Sequence, residues 1–334
     1  MQDTHITLAH GNGGRYMREL IDEIFARHLA NDRLDVRVDA ASLSLDSCEV
    51  VFTTDGFTVQ PLEFPGGDIG SLAVHGTVND LAVAGATPTY LALNAFIEEG
   101  LEIAQLERII ISLAKAARQA GVKVVAGDTK VLRRGEGGGL YLATTGIGTR
   151  NPGFRLGLEQ VRDGDRILVS GPVGDHGISV LLAREQFGLR GDLQSDSASV
   201  LPLTMVLEGT EGLRFMRDPT RGGLATVCHE LSRTTRMGIR ILQANIPISD
   251  PVQSVCDMLG YDPLFLACEG RVVAIVDPQE ASQALEKWRS IPDGRHAAII
   301  GKMDARLSHV VLQTTLGGER ILEELEDDPL PRIC

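Results

Sequence analysis

Aromatic residues are scarce in this chain, 4% of 334 residues, with a single tryptophan. Its core must therefore be built from Val, Leu, Ile and Ala, which suits strands alternating with helices. Cysteine is sparse too: Cys48, Cys228, Cys256, Cys268 and Cys334 make an odd five, with no CxxC pair. That argues against a disulfide framework or a zinc knuckle and fits a reducing, cytoplasmic setting. Long apolar runs are missing. The richest stretch, Leu81 to Phe96, is broken by Gly85, Pro88 and Asn94 and is too short to span a bilayer. The opening MQDTHITLAHG has neither the basic nor the apolar region of a signal peptide. Positive charge is in deficit, 32 basic against 45 acidic residues for a net −13. This disfavours a general nucleic-acid or anionic-membrane surface. It leaves room for a nucleotide, because Mg²⁺ can sit between carboxylates and phosphates. Familiar catalytic motifs are absent as well. There is no P-loop and no GxSxG. His229-Glu230 begins like HExxH, but Arg233 stands where the second His should be, which excludes a zincin.

What is present is a two-domain length with an ordinary 43% of hydrophobic and 23% of charged residues. Met17, Leu20, Ile21, Ile24 and Phe25 stripe one face of a helix over Arg15 to Leu29. Glu49 to Thr54 reads as a strand ending at Asp55-Gly56. Asp68 can cap a helix through Ser71 to Ala84, and Gly121 closes one that begins at Ile103. Val122 to Ala126 and Tyr141 to Ile147 read as strands. Asn151-Pro152-Gly153 is a turn, so a first domain is expected over 1–152. A second α+β domain is expected over 153–307. It includes strands at Arg166 to Ser170, Leu264 to Ala267, Val272 to Val276 and Ala297 to Ile300, an apolar helix face at Leu224, Val227, Cys228 and Leu231, and a helix from Ala281 to Trp288. Residues 308–334 are expected as a tail: the acidic ERILEELEDD, then Pro329 and Pro331, which favour an extended arm bearing Cys334.

Asp55, Asp128 and Asp218 each follow an apolar segment, where a strand could deliver them to the rim of a sheet. Asp80 sits beside Asn79 among small and apolar residues. Such carboxylates are costly unless paired or bound to a metal. Oxygen ligands without a His/Cys cluster suit Mg²⁺ carrying phosphate; helix capping and turn formation are the alternative for any one of them. Gly11, Asn12, Gly13 and Gly14 precede the first helix, where backbone N–H groups can approach an anion, though a plain turn uses the same residues. Lys130 lies two residues after Asp128 and could contact a phosphate or act on a proton. Glu269 follows the apolar FLAC, where burial favours a base. A surface charge beside a turn is the alternative for both. Cys334 is the sharpest feature, a thiol at the tip of a proline-stiffened arm.

HGNGGR (10–15), TDGF (54–57), HGTVNDLAVAGATP (75–88), AGDTKV (126–131), RDPTRGGLA (217–225), DPLFLACEG (262–270) and PRIC (331–334) occur in this order. Together they resemble the HypE family of hydrogenase maturation factors, within the wider aminoimidazole ribonucleotide synthetase superfamily. The resemblance implies a two-domain α/β fold, with an N-terminal domain that pairs in a homodimer and a C-terminal ferredoxin-like α+β domain. It implies ATP and Mg²⁺ as cofactors and Cys334 as the carrier of the substrate. A carbamoyltransferase, HypF, would place a carboxamide on that sulfur. ATP-dependent dehydration would make a thiocyanate, and the cyano group would pass to iron on a HypC–HypD complex. On this reading Asp55, Asp80, Asp128 and Asp218 hold Mg²⁺ and phosphates, Asn79 and the 11–14 loop contact the nucleotide, and Glu269 and Lys130 handle protons. Two alternatives stay open: a superfamily enzyme acting on a free small molecule, which would not need Cys334, and a non-enzymatic thiol carrier, which would not need the four aspartates.

Overall fold

The computed structural model describes residues 3–11, 15–36, 43, 45, 49–184, 188–189, 191–325, 330 and 333–334. The chain divides into two compact units. The first comprises Met1–Leu81, Ala86–Arg150 and Arg332–Cys334, and the second Ala82–Gly85 and Asn151–Pro331.

In the first unit the strands β1 (Val50–Phe57), β2 (Ala86–Glu98), β3 (Lys123–Leu132) and β4 (Leu140–Arg150) form one sheet. Its order is β1-β4-β2-β3, antiparallel except for the β2–β3 pair. The two faces differ. Along β4, Leu140, Leu142 and Thr144 are buried, whereas Tyr141, Ala143 and Thr145 are only half-buried. The buried face is covered by α2 (Ile69–Val83). This helix is apolar nearly all round, with Ile69, Leu72, Val74, Val78 and Leu81 all at 0% exposure, as expected of a helix enclosed on every side. Asp68 caps it, its Oδ1 accepting from the N–H groups of Gly70 and Ser71 at 2.7 and 3.0 Å. Gly70 lets α3 (Ile103–Gln119) come close, since a Cβ there would lie 2.4 Å from the Ile109 oxygen. Gly121 follows α3 at φ +72°, the expected stop. The predicted first helix is present as α1 (Arg15–Leu20), which continues as a π-helical stretch (Ile21–Ala26) and a last turn (Arg27–Leu29). β1 and β3 run further than expected, so Asp55 and Asp128 lie inside strands rather than at their ends.

The second unit holds a seven-stranded sheet of β5 (Arg166–Val169), β6 (Leu213–Arg217), β7 (Gly238–Leu242), β8 (Val273–Val276), β9 (Ala298–Asp304), β10 (Val310–Gln313) and β11 (Glu319–Ile321). Its order is β11-β10-β7-β9-β5-β8-β6. The largest helices against it are α4 (Asp175–Ala183), α6 (Gly223–Thr235), α7 (Asp250–Leu259) and α8 (Ala281–Arg289), with a short α5 (Leu201–Met205) between β5 and β6. Leu224, Val227, Cys228 and Leu231 form the buried face of α6. Trp288 is fully enclosed, and its indole N–H donates to the Leu203 oxygen at 2.8 Å. Two expectations are corrected. Leu264 to Ala267 is not a strand: Pro263–Phe265 is a 3-10 turn, capped by Asp262 accepting from Leu264 N–H, because Pro263 offers no ladder donor. The stretch expected as a tail over 308–334 begins within the second unit, because β10 and β11 belong to its sheet and Leu322 is buried.

Candidate functional site

The first unit assembles its acidic residues around threonines. Thr53 and Asp55 alternate along β1 and point to the face that α2 covers. Asp55 Oδ2 accepts from the Thr77 hydroxyl of α2 at 3.1 Å. Asp80 Oδ2 accepts from the Thr53 hydroxyl at 2.7 Å. Thr77 in turn bonds the buried Thr144 hydroxyl of β4. Asn79, beside Asp80, is buried at 1% exposure. The result is two carboxylates on one layer, each steadied by a hydroxyl and each with further acceptor capacity. Oxygen-only donors of this kind fit a hard cation such as Mg²⁺.

Asp128 is not brought to that layer. It pairs with Asn94 of β2 in the parallel register, and Lys130 pairs with Phe96. Asn94 and Phe96 lie on the exposed face, whereas Asp55 pairs with the buried Thr144. Asp128 and Lys130 therefore stand on the open face of the same sheet, joined by a 3.0 Å ion pair and both more than half exposed. Gly11 packs against β3, where a Cβ would come within 2.7 Å of Val131 Cβ, so only glycine fits. Asn12, Gly13, Gly14 and Cys48 lie outside the described residues.

In the second unit Asp218 and Glu269 lie on neighbouring segments. Asp218 follows β6, and the next residue's oxygen accepts from Cys268 N–H at 3.0 Å. That bond sets the Asp218-Pro219 and Cys268-Glu269 segments side by side, with Asp218 5% and Glu269 2% exposed. Three residues that the sequence did not single out frame them. Asp196 accepts from Glu269 N–H at 3.1 Å and lies 3.3 Å from Arg271 Nε. Arg271 also reaches Asp175 at 3.4 Å. Burial pushes the Asp175 carboxyl up, opposed by the Ser249 hydroxyl and by Arg271. Two buried carboxylate side chains thus share one guanidinium.

Cys334 belongs with the first unit. Its backbone oxygen accepts from both the N–H and the hydroxyl of Thr58, at 3.2 Å each, and Ile333 beside it is buried. Thr58 directly follows β1, an edge strand of its sheet. Nothing marked Thr53, Thr58 or Thr77 in the sequence beyond their closeness to Asp55 and Asp80, since hydroxyl residues are common in strands. Among the described residues, no three His, Cys, Asp or Glu side chains form a ready cage for a metal ion, and no helix is long and apolar enough to cross a membrane.

The profile of AIR synthase related protein, N-terminal domain, matches residues 37–150, and that of its C-terminal domain matches 162–312. Carbamoyl dehydratase HypE of Azotobacter vinelandii is 47% identical over 336 residues, covering 100% of this chain and 98% of that protein. The crystal structure of hydrogenase maturation protein HypE in complex with ATP superposes with a TM-score of 0.93 at 43% identity, covering 98% of this chain and 99% of that one. A chain of the crystal structure of a HypE–HypF complex superposes at a TM-score of 0.80 with 41% identity, covering 92% of this chain and 99% of that one.

Proposed function

The chain belongs to the AIR synthase related family and, within it, to the HypE carbamoyl dehydratases of hydrogenase maturation, and from that premise we propose that it uses ATP to dehydrate a carboxamide carried on the Cys334 sulfur to a thiocyanate. A relative has been crystallised with ATP and another with HypF. On this reading HypF supplies the carboxamide, and the cyano group leaves for iron on a HypC–HypD scaffold as a ligand of a [NiFe]-hydrogenase centre.

An amide oxygen is a poor leaving group, and ATP would supply the phosphoryl group that lets it depart as phosphate. Asp55 and Asp80, steadied by Thr77 and Thr53, would hold Mg²⁺ there, with its charge screening the phosphates. Asn79, Gly11 and the following Asn12, Gly13 and Gly14 would contact the nucleotide. Losing water from a carboxamide also removes two protons from nitrogen. Glu269 is the proposed acceptor, buried and held by Asp196, and Asp218 beside it would meet the phosphates or metal. Lys130, on the opposite face of the first sheet from Asp55 and Asp80, is not assigned a part in the proton transfer.

We infer a homodimer from the open face of the first sheet. Phe52 and Val50 there are 64% and 43% exposed, and a second sheet would cover them. Asp128 and Lys130 lie on that face, opposite to Asp55, so a partner laid over it would meet them.

The single observation that carries the reading is the docked position of Cys334, its backbone oxygen held by Thr58, three residues beyond Asp55. A superfamily enzyme acting on a free small molecule has no use for that contact. The test is Cys334→Ala: it should bind ATP as the wild type does and accept no carbamoyl group from the transferase. Carbamoylation of that variant at another cysteine would overturn the reading.

A further inference from the structure

The geometry points to Thr58 as the positioning residue that seats Cys334 for dehydration, and this rests on the carbamoyl-dehydratase reading above. Two donors from one residue converge on one acceptor: the backbone N–H and the hydroxyl of Thr58 both reach the Cys334 oxygen, at 3.2 Å each. The platform beneath them is well packed. Phe57 and Val59, on either side, are 4% and 0% exposed. Two residues on, the Gln60 amide donates to the Gly138 oxygen. Ile333, next to the cysteine, is 6% exposed and supplies an apolar anchor. Backbone and anchor thus fix where the cysteine sits, and only the side-chain torsion of the sulfur stays to be set.

The contact has the strength a shuttle needs. Each hydrogen bond favours the seated cysteine by a few-fold to about tenfold and is weak enough to release it to a carbamoylating partner. Seating matters because the carboxamide on sulfur must meet its phosphoryl donor in a narrow range of geometries, and misplacement by about 1 Å costs heavily. Thr58 is well placed for this, since its backbone continues that of β1, the strand bearing Asp55. It touches the residue that carries the substrate, not the reacting atoms, so its part is positioning.

The test compares wild type, Thr58→Val and Thr58→Ser. Valine keeps the shape and the N–H but removes the hydroxyl; serine restores it. Two quantities are measured: alkylation of Cys334 by iodoacetamide in the chain without ATP, resolved by peptide mass, and the single-turnover rate of water loss from the carbamoylated chain with Mg·ATP. Thr58→Val should alkylate about three- to tenfold faster and lose water slower by a similar factor, with the final extent of carbamoylation unchanged and Thr58→Ser near wild type in both. The inference is overturned if Thr58→Val matches wild type in either measure, or if serine fails to rescue. A wild-type chain that loses no water at all would overturn the functional reading itself, and with it the catalytic purpose of the contact. That result is distinct from a working wild type with an unaffected valine variant.

Discussion

A thiol becomes a carrier only if it can be reached and ionised, and the described cysteines divide on that ground. Cys228 and Cys256 are buried, and burial pushes both thiols up to about 12; burial also pushes Cys268 well above its ordinary value. Such thiols are poor nucleophiles at neutral pH. Cys334 is partly exposed. The apolar patterns around the first three marked them as core residues in the sequence, and the prolines before Cys334 marked it as an arm. Its seat on Thr58 was not legible, because a contact across 276 positions leaves no local pattern. Asp80 is also decided at this scale. Asp80→Asn keeps the Thr53 hydrogen bond, since the amide oxygen still accepts, and removes one negative charge. ATP-dependent turnover should fall by about ten- to a hundredfold while the melting temperature stays within a few degrees of wild type. Normal turnover in both Asp80→Asn and Asp55→Asn would remove Mg²⁺ from that layer.

The helix α2 shows how an element can be legible while its function is not. The cap at Asp68 and the small, apolar run to Val83 predict a helix, and one is present over Ile69–Val83. An all-round apolar helix gives no face, however, so the sequence could not say which of its polar residues meet β1. Thr77 and Asp80 do so because their partners Asp55 and Thr53 lie two apart on a strand, on one side of the sheet. Asp128 looked equivalent by motif, yet the parallel register with β2 turns it to the other side. His75 lies on the same helix, and burial pushes its imidazole down to about 4. In the unfolded chain it takes a proton near its usual 6.5, so below that pH the unfolded state binds a proton the folded state refuses. Stability is therefore fully present above pH 6.5 and is lost as pH falls toward 4, by about 3 kcal/mol over the whole window. Denaturant midpoints at pH 7 and pH 4.5 should differ less for His75→Gln than for wild type. An equal difference would show that His75 titrates freely in the folded chain.

For the whole molecule, scarcity of aromatics makes the exposed ones informative. Phe52 at 64% exposure stands on an open sheet face with Val50, 43% exposed, two residues before it, and exposed apolar surface of that kind marks an interface. Light scattering at micromolar concentration should give twice the 35.9 kDa chain mass, and Phe52→Asp should shift it toward one chain with its circular dichroism unchanged. A wild-type mass of one chain would contradict the homodimer. The central claim, that the chain dehydrates its own thiol-bound carboxamide, is tested most directly by intact mass. Purified chain is carbamoylated by the transferase and then given Mg·ATP. Loss of the mass of one water is expected, located by peptide mapping at Cys334. A carbamoylated chain that consumes ATP without that loss, or that carries the adduct on Cys48 or Cys268 with Cys334 unmodified, would contradict it.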